Sequence, residues 1–401
     1  MRLNLNANPF LADSPLSGPA RPRVFVTQGE DPYDNAKRAL AQMDLSSARG
    51  KRVLLKPNVG RPARPGAAVT THPGVVAAAI DVFRAVGAQV AIGESPITGV
   101  DVIKAFESCG IAQVARERDC PLLDMDIKPA SEWAVPHGRA ISSIQVCSDI
   151  EAFDVIVSIP VMKMHMHTHV TLSVKNMKGC LWRRSKVKLH MLPPVEGDDN
   201  KPINIAIADM SGVLKPHISL IDGSVGMEGL GPSAGTPKSL GVVVAGADPF
   251  AVDAVACELM GTSARNTPHL AIAGDRGYGI IDICDMEIQP PHWRQWAQAF
   301  EPPPQSMDIH FPQVTVLDQN SCSACQSTLL LFLKKHGDEL RAKFPGLDPI
   351  PIAIGKGHDR VPANTLCIGN CTLNHGKQAL VVKGCPPVVS QIVKAIGVEG
   401  P

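Results

Sequence analysis

The sequence predicts an α/β protein: a doubly wound, mostly parallel sheet, followed by a second, smaller α/β lobe that contains cysteines. Three observations carry this expectation. Short apolar or β-branched runs alternate with helix-period segments from Arg23 onward. Polar, turn-forming runs follow several of these strands directly, where open α/β sheets collect their ligands; Lys56-Pro57-Asn58-Val59-Gly60 and Gly93-Glu94-Ser95-Pro96 are examples. Pro302-Pro303-Pro304 then precedes a C-terminal stretch in which three cysteine runs each follow a strand-like segment.

Taken in order, residues 1–20 are rich in Pro, Ser and Asn and are expected to form a flexible arm. Residues 21–300 form the main α/β domain, 301–313 a Pro-rich linker and 314–401 the cysteine lobe. Arg23 to Thr27 and Arg52 to Leu55 read as strands, with a helix from Asp34 to Met43 between them. Thr71-His72-Pro73 opens a second helix, with Thr71 as the candidate N-cap two residues before the proline. Ala88 to Ile92 and Phe153 to Ile159 are further strands. Trp182 to Lys201 is polar and Pro-interrupted, and is expected to be a mobile flap. Ile203 to Leu214 is a helix, Ile218 to Ile221 and Leu240 to Ala245 are strands, and Pro249 to Met260 is a helix capped by Asp248. In the lobe, strands at Val314–Leu317, Thr365–Ile368 and Leu380–Val382 alternate with helices at about Ser327–Phe344 and Val388–Ile396.

Composition narrows the function. At 401 residues, with 44% hydrophobic and 19% charged residues, the chain supports two or three cored domains. A net charge of +1 and an aromatic content of 4% argue against nucleic acid or a membrane surface as partner. No apolar run reaches the roughly eighteen residues of a membrane span. Met1 to Asn6 lacks a signal core, and eleven cysteines in so long a chain fit metal binding in a reducing compartment. The expected location is the cytoplasm.

The cysteine runs are Ser321-Cys322-Ser323-Ala324-Cys325, Cys367-Ile368-Gly369-Asn370-Cys371 and Lys383-Gly384-Cys385-Pro386-Pro387. A parallel sheet would gather them at one edge, as a four-thiolate metal site requires. Five cysteines compete for four places. Cys322, Cys325, Cys371 and Cys385 are the expected ligands, because Cys367 lies within a strand while Cys371 follows a Gly-Asn turn. A 4Fe–4S cluster is the expected cofactor, with structural zinc as the alternative.

The polar candidates sit in the main domain. Lys56 and Asn58 follow a buried strand. Glu94 and Asp222 occupy equivalent strand ends and could move protons or hold magnesium. His165, His167 and His169 alternate along Met164 to His169, and on a continuous strand all three would share one face. They could contact an anion beside Lys163, Lys175 and Lys178, ligate a metal, or form a solvated polar edge. The loop from Gly226 to Gly235 matches no dinucleotide or P-loop fingerprint.

Several of these runs, in this order, resemble the Domain of Unknown Function 362 family over roughly residues 50 to 275. They are Leu55-Lys56-Pro57-Asn58, Gly93-Glu94-Ser95-Pro96, Pro160 through Met162-Lys163 with His165, Ser173-Val174-Lys175-Asn176 with Lys178-Gly179, Asp222 with Met227-Glu228-Gly229 and Gly231-Pro232, and Gly246-Ala247-Asp248 with Ala251-Val252-Asp253. Many members of that family are described as iron–sulfur proteins, so the resemblance implies such a cofactor. The ferredoxin-like insert of some members is missing here. The expected function is a cytoplasmic 4Fe–4S redox enzyme or electron carrier. It would act on a small anionic substrate in a cleft between two lobes, supplied by an electron-donor protein. Lys56, Asn58, Lys163, Lys175, Asn176 and His190 are the substrate-binding candidates, and Glu94, Asp222 and His165 the catalytic ones. The rivals are a metal-dependent hydrolase or transferase using the three histidines, and a non-catalytic cluster-delivery protein.

Overall fold

A computed structural model describes residues 8–10, 21–303, 311–376 and 379–397. The expected N-terminal arm therefore lies outside the described residues except at 8–10, and most of the expected linker lies outside them too. The chain divides into two compact units. The first ends at Pro303, and the second contains the rest together with His190–Leu192. Among the described residues, no helix is long and apolar enough to cross a membrane.

The first unit contains β1 (Arg23–Gln28), β2 (Arg52–Pro57), β3 (Gln89–Glu94), β4 (Leu122–Asp124), β5 (Ala130–Ala134) and β6 (Ser143–Cys147). It continues with β7 (Val155–Ile159), β8 (Val161–His165), β9 (His169–Thr171), β10 (Ile218–Glu228), β11 (Thr236–Gly246) and β12 (Glu287–Gln289). The main sheet runs β12-β1-β11-β10-β7-β2-β3-β4, with β8 joined to β10 and β9 to β8. The stretch from β10 through β7, β2 and β3 to β4 is parallel throughout. The long hairpin of β10 and β11 and the pairing of β11 with β1 are antiparallel. Pro160 explains the step between β7 and β8: it has no N–H to continue a ladder. β10 accordingly pairs with β7 at Ile218 and with β8 from Asp222.

The helices are α1 (Pro32–Leu40), α2 (Pro73–Ala85), α3 (Val102–Ser108), α4 (Ile111–Glu117), α5 (Ser173–Asn176), α6 (Ser185–Lys188), α7 (Pro202–Ser211), α8 (Pro249–Leu259) and α9 (Pro268–Asp275). Apolar residues of α1 to α4, such as Leu40, Ile80, Phe83, Phe106 and Ile111, form one core with Val53, Leu55, Val90 and Ile92 of the sheet. Strand period two then places Leu54 and Lys56 on the other face. The caps follow the sequence at α8, where Asp248 accepts from the amides of Phe250 and Ala251. At α2 the cap is His72, whose Nδ1 accepts from Gly74 N at 3.1 Å. Thr71, the expected cap, instead accepts from Asn58 N and donates to Ile159 O, tying the end of β2 to the end of β7.

The second unit is a four-stranded parallel sheet of β13 (Val314–Asp318), β14 (Ile350–Ile354), β15 (Leu366–Ile368) and β16 (Leu380–Val382), in that order. Its helices are α10 (Ser323–His336), α11 (Leu340–Lys343) and α12 (Val389–Ile396). β14 was not expected from the sequence: Pro349 and Pro351 flank and interrupt it, although it is buried and central. α10 starts four residues before its expected position, so Cys322 is its N-cap and Cys325 lies in its first turn.

α5, four residues long, is fixed by the buried Asp253 of α8, which accepts from Ser173 N at 2.7 Å and Val174 N at 2.9 Å. Asp253→Ala removes both bonds to a helix start and should cost on the order of 1–2 kcal/mol. Urea unfolding of the variant measures this, and an unchanged midpoint would contradict the positioning role.

Candidate functional site

The centre of the first unit's site is an ion pair at the carboxyl ends of β2 and β3. Lys56, fully buried, donates to Glu94 Oε2 at 2.8 Å, Asn176 Oδ1 at 3.0 Å and Pro57 O at 2.9 Å. Glu94 also accepts from Val59 N and Ser95 N, so both its oxygens are engaged. Asn176 returns bonds to Lys56 O and Ser158 Oγ. Gly179 closes the cage: a Cβ there would stand 2.4 Å from Glu94 Oε1 and 2.5 Å from Lys56 Nζ, leaving no room for any side chain.

Around this pair lies a surplus of cations. Lys163 on β8 donates to Asn58 Oδ1 and to Val69 O, both neutral acceptors. Burial pushes its pKa well down, and Lys175, Arg61 and Lys56 push the same way. Lys175 on α5 donates to Thr171 Oγ1 at 3.1 Å, and burial lowers its pKa to about 7. Lys178 is lowered by burial and by Lys175 and Lys186. Lys186 comes from the expected flap, yet it is buried: it donates to Leu181 O and Ser95 Oγ and lies 3.7 Å from Asp126. The segment is further tied by Trp182 Nε1 to Lys128 O and by Arg183 to Asp126. The flap is therefore anchored at its first half. Its basic residues read as surface in the sequence, and nothing in the sequence marks which lysine turns inward.

The histidines are arranged differently from the expectation. The chain turns between β8 and β9, so His165 and His169 face each other across a hairpin instead of sharing a face with His167 on one strand. His165 Nδ1 accepts from His167 N, and His169 Nε2 meets Thr262 Oγ1 at 2.7 Å. Asp222 uses its two oxygens to accept from His72 N and Ser224 N, and so ties the start of α2 to the irregular part of β10. His190 belongs to the second unit, where Nδ1 meets Ser323 Oγ at 2.6 Å beside Cys322. That bond sets it at the cysteine turn. A further histidine, His269 of α9, has no counterpart in the sequence reading. It is fully buried near Lys175 and His169, and burial holds its pKa down at about 3.

In the second unit, all four strands point their carboxyl ends to one edge. Asn370 N donates to Gly384 O, and Asn370 Oδ1 accepts from Gly384 N, both at 2.8 Å. These bonds join the turn after β15 to the turn after β16, and so bring Cys371 and Cys385 to one place. Gly369, at φ +103°, takes a backbone conformation that favours glycine, and it packs beside Cys325, where an added Cβ would lie 3.5 Å from Sγ. Cys325 lies within electrostatic reach of Cys322, Cys371 and Cys385 alike. Cys322 is lowered to about 6 by the Cys325 thiol and by the backbone amides of Cys325 and Ala324 at the start of α10. Cys367 points elsewhere, into a small core with Ala353 and Val361, and burial raises it to about 11. Among the described residues no three His, Cys, Asp or Glu side chains are spaced as ligands of a single metal ion.

The family described as domain of unknown function (DUF362) matches residues 53–258, just over half of the chain. The chain belongs to the DUF362 family. Every member of the lysine cage named above lies within the matched span, whereas the four clustered cysteines lie beyond it. A related protein is the thylakoid-associated protein sll1697 of Synechocystis sp. (strain ATCC 27184 / PCC 6803 / Kazusa), 28% identical over 222 residues, which are 55% of this chain and 67% of that protein. Among solved structures, the lactate racemase apoprotein from Thermoanaerobacterium thermosaccharolyticum aligns at 14% identity with a TM-score of 0.38. The alignment covers 56% of this DUF362 chain and 54% of that one, so it spans about half of each and is too distant to bear on activity.

Two predictions follow from the cage. Gly179→Ala should separate Lys56 from Glu94 and cost on the order of 3 kcal/mol or more, since a buried ion pair is broken; a thermal melt equal to that of the native chain would refute the packing. The second concerns pH. Lys175 has a folded pKa of about 7 against an unfolded value near 10.4, so between these values the unfolded chain binds more protons and stability rises with pH. The native chain should therefore gain stability relative to Lys175→Met from pH 7 to pH 10, by a few kcal/mol at most. Parallel curves in urea titrations at pH 7, 8.5 and 10 would count against a buried, neutralised Lys175.

Proposed function

We propose that this DUF362 protein binds a 4Fe–4S cluster through Cys322, Cys325, Cys371 and Cys385, and performs redox chemistry on a small anionic substrate held by the lysines of its first unit. The observation that carries the reading is the gathering of four thiols from three strand-end turns around Cys325, with Cys367 turned into the core. The donor set fits the group: four thiols, one of them already favouring thiolate at the start of a helix. When bound, a 4Fe–4S cluster supplies electrons one at a time.

The protein's own residues have distinct tasks in this reading. Lys163 and Lys175 attract the anion, and Asn58 holds the Lys163 ammonium in place. Lys56, Glu94 and Asn176 form the rigid frame on which these lysines stand. Lys175, neutral at about pH 7 and above, can accept a proton from the substrate. His165, bonded to the turn of its own hairpin, lines the site. An electron-donor protein and a reducing, cytoplasmic setting accompany the proposal; the cysteines among the described residues are free thiols.

Anaerobic purification followed by iron and sulfide analysis tests it. The expected result is a brown protein with roughly four irons and four sulfides per chain. Serine replacement of Cys322, Cys325, Cys371 or Cys385 should lower both, while Cys367→Ser keeps them. A colourless protein with stoichiometric zinc, or loss of iron on Cys367→Ser alone, would overturn the assignment.

A further inference from the structure

We propose that Arg61, Lys163 and Lys175 form a subsite for a doubly charged oxyanion of the phosphate or sulfate kind, with His269 at its edge. This rests on the reading above that the first unit binds an anion, and it names the charge and shape of that anion. The three cations come from separate segments: the loop after β2, strand β8 and helix α5. Lys163 bonds Asn58 and Val69 of the loop that carries Arg61, its cross-strand partner Thr171 holds Lys175, and Lys163 responds to the charges of both Arg61 and Lys175.

The charges do not balance without a ligand. Glu94, the carboxylate that bears on Lys163, is already bound to Lys56. Asp126 lies with Lys186. Lys163 bonds only neutral oxygens, and Lys175 bonds only a hydroxyl, among the described residues. Arg61 is half-buried and has neither a hydrogen bond nor an ion pair among them. Buried charge without a partner is costly, and a site that keeps three such groups together is built for an opposite charge supplied from outside. A single negative charge would leave most of the surplus uncompensated.

Geometry adds the shape. A guanidinium offers a planar fork of donors and each ammonium a compact point charge with spare N–H groups, a set that suits an oxyanion with several equivalent oxygens. His269 gives an independent sign of a ligand. Its ring is completely buried beside Lys175; the Thr168 backbone bears on it, but neither ring nitrogen reaches a hydrogen-bond partner of good geometry among the described residues. Buried polar groups are rarely left in that state unless something else serves them.

Calorimetric titration of the full chain at low ionic strength, with sulfate, inorganic phosphate and acetate as probes, provides the test. Sulfate and phosphate should bind at one site per chain, and acetate at least tenfold more weakly. Arg61→Met, Lys163→Met and Lys175→Met should each weaken sulfate on the order of tenfold to a hundredfold. The variants are expected to melt at or above the native temperature without ligand, because each removes a buried basic group that no carboxylate bonds, and to lose the stabilisation that sulfate gives the native chain. Acetate binding as well as sulfate, or variants that keep native sulfate affinity, would overturn the proposal. Iron and sulfide measured on the same samples separate the two readings. Dianion binding by an iron-free protein defeats the redox reading alone, and an iron-loaded protein that ignores sulfate defeats this one alone.

Discussion

The Lys56–Glu94 pair is the constraint on which the first unit's site depends. Both residues stand at the carboxyl ends of adjacent parallel strands, and both are removed from water. Such a pair is stable only when every remaining donor and acceptor is also engaged. The surrounding chain meets that demand. Two backbone amides serve Glu94, Asn176 and Pro57 O serve Lys56, and Asn176 is itself held by Ser158. The requirement explains why Gly179 passes so close, since a methyl group there would occupy the space of the two charges. It also explains α5, a single helical turn with Asp253 beneath its start. That turn exists to present Asn176 downward and Lys175 into the same polar interior.

A second consequence is electrostatic. With Glu94 committed to Lys56, Lys163 and Lys175 bond only neutral oxygens among the described residues, and burial is the largest influence on both. The structure resolves this in the way physics allows: their protons become easy to lose, and their neighbours are neutral oxygens that tolerate either state. A lysine in that condition can take up an anion and a proton together, or release both together. The proposed function therefore couples binding and proton transfer through one group. Glu94 and Asp222, the residues whose type suggested acid–base work, are the ones most fully occupied with holding the fold.

Much of this was legible in the sequence, and the limits are instructive. Strand ends were readable, because an apolar run followed by a polar, turn-forming one has a single common meaning in an α/β chain. That sufficed to pick out Lys56, Asn58, Glu94, Lys163, Lys175 and the four cysteines now seen around Cys325. The hairpin at Met166 was not readable, since alternation of Met and His is equally a strand and a strand reversal; His169 at φ +67° makes the turn without glycine. β14 escaped because its prolines argue against a central strand, yet the parallel ladder there uses its other residues. Lys186 and His269 escaped for a different reason. Their inward orientation is a property of tertiary packing, and their local sequence resembles a solvated segment in one case and an ordinary apolar helix in the other.

The second unit reaches its arrangement by another route. It holds no buried ion pair among the described residues; backbone geometry does the positioning. Cys322 caps α10 in place of the usual hydroxyl or carboxylate, so amides that would bind a side-chain oxygen are available to sulfur. The two later turns are joined by reciprocal bonds between Asn370 and Gly384, which depend on main-chain atoms at Gly384 and on one amide side chain. Replacing Asn370 would therefore loosen Cys371 from Cys385 without touching a thiol. With the proposed cluster on these thiols, Asn370→Ala should leave the four-stranded sheet folded but lower the iron retained on anaerobic gel filtration, with a loss that grows with time. Retention equal to that of the native chain would mean that the parallel sheet alone fixes the cysteines, and that the turn-to-turn bonds are incidental.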